Sequence, residues 1–235
     1  MSVAFARRMP RPRRRSPPGV VFHVMNRAAK KSRLFDCDAD YHALIRVLSV
    51  AVARFDVAFF SYHVMPNHWH FVLAALIEGE LSRFMHWFET THARRWQHAK
   101  RLDGQGAVYQ GRFKATPIQT DRHFLWVCRY VERNALRANL VERAEDWRWS
   151  SLWQRTNGGH EPLLAPWPVA APADWISHVN TPQTEAELEA FRLAVNVGQP
   201  FGDEDWCHSI GHTARRPRGR PRRCPLKMTS DPIYL

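Results

Sequence analysis

Apolar residues follow two rhythms along this chain. Val20-Val21-Phe22-His23-Val24-Met25, Val57 to Val64 and His68 to Ala75 are short runs rich in β-branched and aromatic residues, which predict strands. Pro66-Asn67 between the last two predicts a tight hairpin. Helix-start chemistry at Asp36 to Asp40 precedes Tyr41, Leu44, Ile45, Leu48 and Val52 at helical spacing, and Leu81, Phe84, Met85 and Phe88 mark a second helix ending in the basic stretch Arg94 to Arg101. After Asp103-Gly104-Gln105-Gly106, Val108 to Gln119 reads as a fourth strand carrying Arg112 and Lys114. A third helix then runs from Thr120-Asp121 to about Ala138 on the stripe Phe124, Val127, Cys128, Val131, Ala135, Ala138. The order β-α-β-β-α-β-α predicts an α+β fold of ferredoxin-like type, an antiparallel sheet with helices on one face.

Patterning also divides the chain. Residues 1–17 form an Arg/Pro arm that cannot pack a core, and 18–155 hold the ordered pattern. Residues 156–204 are expected as loop with a short helical extension, opened by the capping box Thr184-x-x-Glu187 and carrying Leu188, Phe191 and Val195. Residues 205–235 are a basic tail.

Composition narrows the partners. Lys and Arg number 34 against 22 Asp and Glu, for a net charge of +12. The surplus is clustered, so an anionic partner is expected, nucleic acid ahead of a membrane surface. The four cysteines are widely spaced with no C-x-x-C, which fits a reducing cytosol. No run is long enough to span a bilayer, and no phosphate-binding P-loop is visible, so a nucleotide cofactor is not expected. A cytoplasmic, nucleoid-associated protein is the simplest reading.

The candidate chemistry lies in Met65-Pro66-Asn67-His68-Trp69-His70. Side chains alternate along a strand, so His68 and His70 share a face and form half of a metal site. A purely structural His-x-His remains the plain alternative. Tyr130 and Asn134 sit four apart at the flank of the third helix's stripe. If that flank meets the histidine face, a phenol and an amide oxygen join two imidazoles. Such a set could hold a divalent ion on a phosphate while Tyr130 attacks phosphorus. His63 is read as a core or hydrogen-bonded histidine. Ligand softness alone leaves zinc open.

These residues, with Arg129-Tyr130-Val131-Glu132-Arg133-Asn134-Ala135-Leu136-Arg137-Ala138, resemble the REP-associated tyrosine transposases of the single-tyrosine HUH superfamily. Phe22-His23-Val24-Met25-Asn26-Arg27, Gln110-Gly111-Arg112-Phe113-Lys114 and Trp149-Ser150-Ser151 extend the likeness over about residues 18–155. The resemblance implies a metal-dependent single-strand DNA endonuclease and strand transferase acting at hairpin-forming repeats. It implies Tyr130 as nucleophile, His68, His70 and Asn134 as metal ligands, Mg²⁺ or Mn²⁺ as the ion, and a 5′-phosphotyrosine intermediate. One departure is Asn134-Ala135 where the family has Asn-Pro, which should let the helix continue. Another is Ala28-Ala29-Lys30-Lys31 in place of the family's Gly-Asn type loop.

Basic residues expected on DNA are Arg27, Arg94, Arg95, Arg112, Lys114, Arg133 and Arg137, with Lys100 beside the same backbone track. In the tail, Arg218-Gly219-Arg220 resembles an AT-hook core suited to a narrow minor groove, against the alternative of a solvated tail. A non-catalytic DNA-binding regulator on the same fold is the rival function. A zinc hydrolase is disfavoured because no carboxylate accompanies the histidines. The sequence leaves the oligomeric state open.

Overall fold

The computed structural model describes residues 16–29 and 32–210; the Arg/Pro arm as far as Arg15, Lys30-Lys31 and the tail segment Arg218-Gly219-Arg220 lie outside them. Four strands, β1 (Val21–Arg27), β2 (Val57–Met65), β3 (His68–Ala75) and β4 (Lys114–Ile118), form one antiparallel sheet in the order β2-β3-β1-β4. Between and after them run α1 (Asp38–Arg54), α2 (Glu80–Lys100), α3 (Arg122–Glu132), α4 (Asn134–Arg137), α5 (Ser151–Asn157), α6 (Trp175–Asn180), α7 (Glu185–Val197) and α8 (Glu204–Ser209). The α+β sheet with helices matches the expectation. Among the described residues no helix is long and apolar enough to cross a membrane.

Each face of the sheet has its own core. Phe22, Val24, Phe59, Tyr62, Val64, Trp69, Phe71 and Leu73 pack with Leu44, Leu48, Phe84 and Phe88 of α1 and α2. Val21, Phe60, Val72 and Ala74 pack instead with Phe124, Val127, Cys128 and Val131 of α3 and with Phe191 and Val195 of α7. Helices therefore cover both faces rather than the one expected, α1 and α2 on one and α3, α6 and α7 on the other. The helices α3 and α7 were expected from their apolar stripes; that they pack on a second face, joined by α6, depends on contacts between segments far apart in the chain.

Three element expectations need correction. The third helix is interrupted at Arg133 (φ −85°, ψ 0°), giving α3 and α4 rather than one helix, and Ala138 is exposed instead of joining the apolar stripe. The fourth strand is only five residues long. Residues 108–113 form a loop pinned to the end of β1 by Ala29 N–H to Val108 O (2.8 Å) and Gln110 N–H to Arg27 O (2.8 Å). Tyr109 draws that loop inward, accepting from Trp69 Nε1 (3.3 Å) and meeting His92 Nδ1 at 2.7 Å. Third, helices α6 and α8 fill stretches read as loop and tail.

Two local features set up the site. Pro66 and Asn67 fill the two-residue loop of the β2–β3 hairpin, and their carbonyls accept N–H groups from Leu34 (2.8 Å) and Ala28 (2.9 Å), which anchors the tip. A bulge in β2 between Phe59 and Ser61 shifts the alternation by one residue. Phe59 and Tyr62 thus both face α1 and α2, and His63 turns to the other face. The outer edge of β2 is closed by Val64 N–H to Trp149 O (2.9 Å) and Ala165 N–H to Phe59 O (2.8 Å).

Candidate active site

Strand alternation puts His68 and His70 on the α3 face, since Trp69 and Phe71 belong to the opposite core. Register extends this into rows across the sheet. His63, His70, Met25 and Lys114 form one row, and Met65, His68 and Arg27 the next. The rings of His68 and His70 are 5.0 Å apart, edge to face. Each has its Nδ1 engaged: His68 with Asn67 Oδ1 at 2.6 Å, His70 with His23 Nε2 at 2.8 Å. Their Nε2 atoms are thereby left for something else, the usual arrangement of metal-binding histidines.

Tyr130 lies over this face. Its ring centroid is 6.1 Å from that of His70 and 6.3 Å from that of His23. Phe191 of α7 meets the phenol ring edge-on at 4.7 Å, Trp126 stacks at 5.8 Å, and the Arg137 guanidinium sits 4.2 Å from its centroid. Arg137 Nη2 also donates to Asn134 Oδ1 at 2.5 Å, so one side chain links the candidate nucleophile to the candidate third ligand. Asn134 is buried, and its Nδ2 has no partner among the described residues. His63 is fully buried and accepts from Ala135 N–H at 3.2 Å, as a core histidine would.

Electrostatics favour neutral rings. Burial lowers His68 to about 4, helped by Arg27 and Arg137. Burial likewise holds His70 and His63 well below their ordinary value, with His68 as the next contributor to each. His23 is pushed down to about 3 by burial. Neutral imidazoles whose Nε2 atoms are not otherwise engaged, with an amide oxygen, fit a divalent cation. Arg27, Lys114 and Arg137 stand on the same face and suit an anion. Lys114, lowered by burial and then by Arg27, donates to Asn196 of α7 at 2.8 Å.

The other expected DNA contacts differ in where they stand. Arg94 and Arg95 are exposed on α2, which packs on the sheet face opposite the histidines, so they do not line a track beside them. Lys100 is tied to Asp40 (2.8 Å) and Asp36 (3.2 Å). Arg133 donates to the carbonyls of Val179 (3.0 Å) and Asn180 at the end of α6. Arg112 is exposed in the loop before β4. A separate group, Asp121, His123 and Asp203, brings its potential ligand atoms within 4.8 Å of one another. It sits at the start of α3, away from Tyr130. Asp121 Oδ1 already takes the N–H (2.7 Å) and meets Nδ1 (2.8 Å) of His123, and Arg122 donates to Asp203 (3.1 Å).

Residues sequence reasoning passed over are His23 and Glu132. Glu132 is completely buried on α3 and accepts from Ser151 (2.7 Å), Arg155 (2.8 Å), Trp175 (2.8 Å) and Ser61 (3.2 Å). A glutamate one turn from the apolar stripe was the available signal.

The family model described as "Transposase IS200 like" matches residues 18–134, a span holding His68, His70, Tyr130 and Asn134. A solved structure described as the REP-associated tyrosine transposase bound to a REP hairpin is similar in fold, with a TM-score of 0.53 and 18% identity over 75% of this chain and 96% of that one. No protein with a curated description matches.

Proposed function

The chain belongs to the IS200-like transposase family, and from that premise we propose that it is a metal-dependent single-strand DNA endonuclease and strand transferase acting at hairpin-forming repeats. The observation that carries this reading is the placement of the Tyr130 ring 6.1 Å from His70 on the face shared with His68. His68 and His70 would hold Mg²⁺ or Mn²⁺ through Nε2, with Asn134 Oδ1 as third ligand. When bound, that ion would supply Lewis-acid polarisation of a phosphate oxygen.

The chain's own residues do the rest. Arg27 and Lys114 on neighbouring strands attract the backbone phosphate, and Arg137 adds positive charge beside Tyr130. Tyr130 Oη attacks phosphorus, losing its proton to solvent, while the P–O3′ bond breaks and the departing 3′-oxygen takes up a proton. The product is a 5′-phosphotyrosine and a free 3′-hydroxyl. Attack by a 3′-hydroxyl on that ester rejoins DNA and restores the phenol. A hairpin substrate is taken over from the REP hairpin in the similar solved structure. The tail's Arg218-Gly219-Arg220 would add minor-groove contact.

The test is a denaturation-resistant protein–DNA adduct formed with hairpin-bearing single-stranded DNA and Mn²⁺. Tyr130→Phe and chelation are each expected to reduce the adduct to background, and His68→Ala to do so in a folded protein. Hairpin binding that survives chelation with no adduct from the parent chain would favour the non-catalytic regulator.

A further inference from the structure

We propose that His23 is a positioning residue: it accepts the Nδ1 proton of His70 and so keeps the Nε2 lone pair of His70 turned toward the metal. This deepens the metal reading above and rests on it. His23 belongs to β1, two residues before Met25, the register partner of His70, and shares its sheet face. The two rings are stacked with centroids 5.1 Å apart, and the facing nitrogens are 2.8 Å apart.

Between two neutral imidazoles only one of the facing nitrogens carries the proton. If it were on His23, the remaining proton of His70 would sit on Nε2 and block coordination. With the proton on His70 Nδ1, Nε2 is free. His68 shows the same logic from the other side, because the Asn67 amide oxygen at 2.6 Å can only accept. Two different acceptors thus impose one tautomer on both ligands.

Position 23 carries a cost that an apolar side chain would not. His23 is 1% exposed, and its Nδ1 is buried without a partner among the described residues. Phe191 at 5.2 Å and Tyr130 at 6.3 Å wall the ring in, so it cannot turn to solvent. A histidine held there at that expense is explained by what its Nε2 does for His70.

The experiment is a titration of the full chain with Mn²⁺, followed by the paramagnetic resonance of the free ion. His23→Phe is expected to weaken Mn²⁺ binding roughly 10- to 100-fold. His23→Gln, whose amide oxygen can reach the place of Nε2, is expected to restore most of it. A folded His23→Phe that binds like the parent, or a Gln variant no better than Phe, would overturn the inference. Loss of Mn²⁺ binding in His68→Ala reports separately on the metal reading. ¹⁵N spectra of the unsubstituted, metal-free chain give an independent answer: a proton on His70 Nδ1 is expected, and one on Nε2 refutes the assignment.

Discussion

The guanidinium of Arg137 covers the Tyr130 ring and grips the Asn134 amide oxygen, so one side chain sets the posture of both. A cation on a ring face is worth about 0.5–2 kcal/mol, and a charge-assisted hydrogen bond about 1.5–3 kcal/mol. Arg137→Gln is therefore expected to slow adduct formation by roughly 10- to 100-fold at fixed Mn²⁺, measured on protein of unchanged circular dichroism. Arg137→Lys keeps the charge but loses the planar fork, and should recover only part of the rate. At this scale His68, His70, Tyr130 and Asn134 were legible because they sit in short motifs. His23 was not: its bond to His70 spans 47 positions and exists only through the pairing of β1 with β3. Nor could the spacing show that Arg133 turns to the carbonyls of α6 while Arg137, one turn on, turns to the phenol.

The break between α3 and α4 answers to a hydrogen bond. Ala135 N–H goes to His63 Nε2, where a continuous helix would send it to the carbonyl of Val131. The kink therefore survives without the family's proline, and the expectation of a continuing helix fails because a buried imidazole competes for the donor. Ala135→Pro is accordingly expected to cost about 1–2 kcal/mol in urea unfolding, the loss of that one bond. In an unbroken helix the same change would cost about 3 kcal/mol or more. His63 reaches this position through the bulge in β2, which no apolar count along residues 57–65 reveals, since both faces of that strand are buried. Glu132 fastens the same helix to β2, α5 and α6. Glu132→Ala is expected to destabilise by about 3–5 kcal/mol, because Arg155, two hydroxyls and the Trp175 indole lose a buried acceptor. Thermal unfolding checks it.

The whole molecule is a sheet filled on both sides, and its interior holds several uncharged imidazoles. His92, beneath the loop 108–113, is lowered to about 4, mainly by burial. Its folded value lies below the unfolded one, so the unfolded chain takes the proton first as pH falls. Its contribution is complete above about pH 6.5 and lost between there and 4, at up to about 1.4 kcal/mol per pH unit. The other buried histidines add to the fall, so urea midpoints at pH 7, 6 and 5 should drop steeply and His92→Phe should make the drop shallower without abolishing it. The succession of elements along the chain and the first two helices were legible because their periodicity is regular. In the second covering layer α7 was legible from its capping box and its Leu188, Phe191 and Val195 stripe, whereas α6, after a Gly/Pro-rich stretch with weak patterning, and the packing of both on the sheet were not. Phe191 of that layer presses on the Tyr130 ring although it lies 57 residues past the span shared with the family. Relatives that diverge only in their final third can thus differ around this phenol while every motif stays the same, and a fragment trimmed to the shared span would leave the Tyr130 ring without that wall.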